Sequence, residues 1–83
     1  MQYKLWDRKE TINGKEASYF LNQLPFKKCT HDIILIYGDN GKVSQVECKE
    51  ILAKLYNIDI NLHIDEFMAQ YQKALEAEME ENS

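Results

Sequence analysis

Two cysteines and two histidines, Cys29, His31, Cys48 and His63, are the residue types a tetrahedral zinc site uses. Their spacing argues against it. Cys29-Thr30-His31 leaves one residue between the first pair, and Cys48 and His63 each lack a second ligand two to four residues away. A Cys29–His31 nucleophile pair fails on similar grounds. Activation needs a base placed by the fold and a lowered thiol pKa, and no glycine-rich oxyanion motif stands beside them. Asp39-Asn40-Gly41 matches a fragment of a calcium loop without the remaining oxygen ligands or the closing Glu. Gly38 and Gly41 fit neither phosphate-loop pattern. No catalytic residue, metal or cofactor is expected, and the chain reads as a non-enzyme.

The chain that would position such groups has 83 residues, which suggests one domain over 1–83. A chain this short buries only about two-thirds of its unfolded surface, so its core is thin. Charge is uneven. Residues 1–31 carry six Lys or Arg against three acids, and residues 32–83 carry four Lys against eleven acids. Six scattered cations make a poor nucleic-acid footprint. The acids concentrate at Glu76, Glu78, Glu80 and Glu81, and residues 78–83 are expected to form a frayed acidic tail. No apolar run is long enough to span a bilayer. Residues 1–10 are mixed polar and charged, unlike a leader. Two distant cysteines without a CxxC pattern suggest reduced thiols and a cytoplasmic protein.

Residues 2–6 alternate as an opening strand, with Tyr3 and Leu5 set against Gln2, Lys4 and Trp6. Asn13-Gly14 is a turn signal, and Ile12 is placed to plug into the core just before it. Ala17, Phe20, Leu21 and Leu24 form a helical stripe that Pro25 ends. Asp32 to Tyr37 is a buried strand running into Gly38-Asp39-Asn40-Gly41. Two readings follow. A two-residue Asn40-Gly41 loop would return a hairpin strand, with Val46 opposite Leu35 and Cys48 opposite Ile33. Alternatively, Ser44 to Glu47 is a helix capping box. The hairpin signal is the stronger. A helix runs by Glu50, with Cys48, Ile51, Leu52 and Leu55 as its stripe. Asn57 to Leu62 turns, anchored by Ile58, Ile60 and Leu62. A last helix starts near Ile64, capped by His63, with Ile64, Phe67, Met68, Tyr71 and Leu75 on one face.

The order β-α-β-β-α-α predicts an α+β fold. Its sheet would be small, mixed and three-stranded, with β1 and β2 parallel across a helical crossover and the helices packed on one face. The aromatic set exceeds what that core holds easily. Trp6, Tyr19 and Phe26, ringed by Lys15, Lys27 and Lys28, are the candidate protein-contact residues.

Tyr3-Lys4-Leu5-Trp6-Asp7, Ile12-Asn13-Gly14, the Ile33–Tyr37 strand with Asn40-Gly41, and Ile64-Asp65-Glu66-Phe67 together resemble small uncharacterised proteins carried by phages and prophages of Gram-positive bacteria. The resemblance spans nearly the whole chain and carries over no catalytic residue. It implies a cytoplasmic bacterial host and a role through contact with a phage or host protein, such as virion assembly. An acidic inhibitor of a host nucleic-acid-binding protein is the alternative. The apolar face of the last helix would also accept a second copy, as a homodimer.

Overall fold

The computed structural model describes residues 2–23, 26–29 and 32–81. Leu24 and Pro25, the expected helix end, and His31 of the zinc-type residue set lie outside those residues; the first helix already ends at Leu21, with Asn22 as its C-cap. The elements are β1 (Gln2–Trp6), α1 (Ala17–Leu21), a single 3-10 turn (Phe26–Lys28), β2 (Ile33–Tyr37), β3 (Val43–Cys48), α2 (Lys49–Tyr56) and α3 (Ile64–Glu81). They fall into two compact units, Met1–Glu50 and Ile51–Ser83.

In the first unit the sheet order is β1-β2-β3, with β2 central. The α+β class and the element order are as expected, but the sheet is wholly antiparallel. β1 pairs with β2 from Gln2↔Tyr37 to Trp6↔Ile33. A parallel pairing would need a crossover spanning the sheet, and α1 has only five residues. Instead the chain doubles back early. Ile12 and Lys15 exchange backbone hydrogen bonds of 2.9 and 3.0 Å around Asn13 (φ 50°) and Gly14 (φ 86°). Two left-handed residues in succession make the tight turn that Asn-Gly favours.

β2 contributes Ile33 to Ile36, all buried. Facing positions across an antiparallel pair share a side of the sheet, so Trp6, Ile33, Leu35, Val46 and Cys48 lie on one side. That side packs with Ile12, Cys29, Ala17, Phe20, Leu21 and Phe26. Ile34 and Ile36, on the opposite side, are buried as well. β2 is therefore buried on both of its sides, as its unbroken apolar run requires. β1 presents Trp6 (4% exposed) to the core, and Leu5 is exposed, the reverse of the Tyr3–Leu5 stripe read from the alternation.

The β2–β3 hairpin has the anticipated register at Ile33↔Cys48 and Leu35↔Val46. It arrives there by another route. Gly38 N–H donates to Lys42 O and Gly41 N–H to Gly38 O, so the loop is Asp39-Asn40-Gly41, with Gly41 left-handed (φ 78°). The ladder then shifts between Ile36 and Tyr37, leaving Ser44 as a bulge. One residue spent in the loop on the β2 side is matched by one left out of β3, and every later pair is restored.

In the second unit Leu52, Ala53, Ile58, Phe67, Met68 and Tyr71 are buried, with Tyr56 and Tyr71 edge to face at 5.4 Å. The buried stripe of α2 is Leu52 and Ala53. Ile51 and Leu55, assigned to it from spacing, are exposed. α2 ends at Asn57 (φ 55°), where Ile58 N–H reaches back to Ala53 O at 2.9 Å. His63 caps α3 as expected: its Nδ1 accepts from Asp65 N–H at 3.3 Å and its carbonyl from Phe67 N–H at 2.9 Å. α3 runs on through Glu81, so 78–81 are helical where a frayed tail was expected; residues 82 and 83 lie outside the described set.

Candidate functional site

Of the four chemistry-bearing residues, the structure brings two together. Cys29 and Cys48 form a disulfide across a sequence separation of 19, so the expected reduced thiols are absent. Both are buried, Cys48 at the end of β3 and Cys29 just after the 3-10 turn. His63 is spent on its cap. Among the described residues no group of three or more His, Cys, Asp or Glu is arranged to hold a metal.

The candidate contact residues separate cleanly. Trp6 leaves the set. It is buried, its Nε1–H donates to Glu10 O at 3.0 Å, and its ring meets Phe20 edge to face at 6.4 Å. Antiparallel pairing to Ile33 turns Trp6 inward, which spacing alone had not decided. Phe26 is half-buried against the same core. Lys27 and Lys28 are exposed on the turn that continues α1 through Lys27 N–H to Gln23 O at 2.9 Å. Tyr19 is 49% exposed. It stands edge to face with Phe20 at 5.2 Å and carries the Lys15 ammonium 4.4 Å from its ring centroid. An exposed aromatic held by an aromatic on one side and a cation on the other is a preorganised contact side chain.

Beside Tyr19 an open groove of about 280 Å³ runs between α1, the Ile12–Lys15 turn and β3. Ile12, Phe20, Val43 and Val46 give it an apolar floor, and Lys15 is the one charged residue lining it. One wall is the outer edge of the sheet. At its near end the Asn13 carboxamide donates to Val43 O at 2.7 Å and accepts from Val43 N–H at 3.1 Å. This reciprocal exchange is what a neighbouring strand residue would make. Asn13 was legible only as a turn residue; the signal for its second role is the side-chain amide, which can both donate and accept.

Loop anchors support the site. Arg8, itself left-handed (φ 70°), donates from Nη2 to Cys29 O at 3.0 Å. Asp7 Oδ1 accepts from Lys9 and Glu10 N–H at 2.8 and 2.9 Å. Those two bonds hold its carboxyl below the usual range. Lys4 pairs with Glu10, and that hydrogen bond raises the Lys4 pKa. On β3, burial pushes the Glu47 carboxyl up. Among the described residues no helix is long and apolar enough to cross a membrane. No protein-family model, curated protein or solved structure matches this chain.

Proposed function

We propose that this protein works by binding another protein, as a small phage or prophage component acting in virion assembly, without catalysis. The observation that carries the reading is Tyr19: an exposed ring fixed between Phe20 and Lys15 at the mouth of an apolar groove. A Tyr at such a patch supplies a large contact area with few rotatable bonds to order. Phe26 supports the patch from the core side, and Lys27 and Lys28 form its charged rim. The host cytoplasm is the compartment this context suggests. The Cys29–Cys48 disulfide persists best in oxidising surroundings. Alkylation of free thiols in freshly lysed cells, followed by mass measurement, decides between the two.

The test is capture of partners by the tagged chain from its host during prophage induction, washed at low and high salt. A phage structural protein held in both washes, and released by Tyr19→Ala or by Lys27→Glu with Lys28→Glu, is the expected result. The same protein held equally by all variants removes these residues from the contact set. Failure to hold any phage or host protein removes the reading.

The acidic-inhibitor alternative has one observation in its favour. α3 carries Glu76, Glu78 and Glu80 exposed near its C-terminal end, with no basic residue in its last turn. The helix dipole adds to that negative field. This reading predicts a basic partner lost at high salt and lost on neutralising Glu76, Glu78, Glu80 and Glu81.

A further inference from the structure

We propose that the outer edge of β3, within the groove beside Tyr19, receives an extended peptide of the partner protein as a fourth strand. The inference rests on the protein-binding reading above and specifies how the partner is held.

The ladder fixes which backbone groups are open. Lys49 N–H donates to Asp32 O at 3.0 Å, in register with Ile33↔Cys48 and Leu35↔Val46. Bonded and non-bonded pairs alternate in an antiparallel ladder. Gln45 and Glu47 therefore bond to β2, and the N–H and C=O of Val46 point away from it. The Ser44 bulge sets this phase. On its other side Gly38 bonds to Lys42, so Val43 is the outward residue there. The Val43 pair is occupied by the Asn13 carboxamide, and Val46, whose pair points outward, is among the residues lining the groove. The edge already accepts one amide in strand-like exchange; the next position offers the same donor and acceptor to another.

The groove states the rest of the ligand's chemistry. Side chains alternate across a strand, so every second residue of an added peptide would meet the apolar floor at Phe20 and Val46. Lys15 is the one charge on the lining, and it selects a carboxylate on the incoming segment. The occupant is therefore an extended, alternately apolar peptide with an acidic residue. A second copy pairing edge to edge is the competing occupant.

The test uses the full-length oxidised protein against a displayed library of random linear peptides. Proline at Val46 removes an outward N–H without breaking a bond to β2, so Val46→Pro is tolerated on an edge strand while denying the incoming strand's carbonyl its donor. Protein carrying an N-methylated Val46 makes the same deletion and keeps the side chain, guarding against misfolding of the proline variant. Selected peptides should alternate apolar residues with an acid and lose roughly tenfold in affinity for both variants, as for a lost backbone hydrogen bond and its neighbours. Lys15→Glu should abolish the preference for the acid. Peptides bound equally by both Val46 variants overturn the strand addition. An empty selection, or a protein whose edge is closed by concentration-dependent dimerisation, overturns it too. The protein-binding reading stands or falls separately, on whether the tagged chain holds any phage or host protein at all.

Discussion

Asn13 occupies two roles with one side chain: a left-handed turn residue and a latch on the sheet edge. The roles separate by substitution. Asn13→Gly keeps the turn and loses both latch bonds, which should cost about 1–2 kcal/mol by urea denaturation. Asn13→Ala adds a strained φ and should cost about 1 kcal/mol more. Titrating residues give signed expectations. Asp7 has a lowered folded-state pKa. Its contribution is present above its unfolded value of about 4 and is lost as pH falls through the lower folded value. Asp7→Asn should flatten that acid limb of the stability curve. Glu47 is the opposite case, raised by burial. Stability then rises as pH falls through its folded value, so Glu47→Gln should melt higher than the parent at pH 7 and lose that advantage in acid. Residue types alone pointed to Tyr19 correctly as an exposed aromatic and to Trp6 incorrectly. A five-residue strand with an aromatic on each side does not say which side is covered; the partner strand does.

Among the elements, β2 was readable because four consecutive isoleucine and leucine residues need burial whatever their direction. The Ile33↔Cys48 register was readable as well, because a two-residue Asn40-Gly41 loop sets it and the Ser44 bulge offsets the longer loop that forms. The loop was not. Asn40-Gly41 serves either a two-residue turn or the end of a three-residue one, and only the compensating bulge at Ser44 distinguishes them. The same dipeptide at 13–14 does make the tighter turn. In α2 the apolar residues outnumber the buried positions, and spacing chose Ile51 and Leu55 over Ala53. The cysteine pair was hidden because the proximity of two cysteines 19 positions apart is a property of the folded chain, in which Cys48 ends β3 opposite Ile33. The bond ties the segment after the 3-10 turn to the sheet, beside the Arg8 bond to Cys29 O. Replacing both cysteines by Ala should cost about 3 kcal/mol for a loop of 19 residues, read as a shifted denaturation midpoint. The candidate patch should loosen first, since α1 and the 3-10 turn depend on that tie. Faster amide exchange at Lys27, Lys28 and Cys29 in the reduced protein would show it.

On the scale of the whole molecule, charge and sheet order have consequences that no single element carries. The chain has a net charge of −4, yet its described groove is lined by a cation and no acid. Long-range repulsion of an acidic segment and local attraction at Lys15 therefore oppose each other, and added salt should weaken the first more than the second. The Asn13 latch also bears on how these molecules behave in company. An antiparallel sheet of three strands ends in raw edges, and raw edges join. By capping Val43, Asn13 narrows the open tract of β3 to the stretch around Val46. Released from that cap in Asn13→Gly, concentrated samples should scatter light and bind amyloid dyes sooner than the parent on storage. A side chain that looks like a turn residue would then be what sets the protein's shelf life.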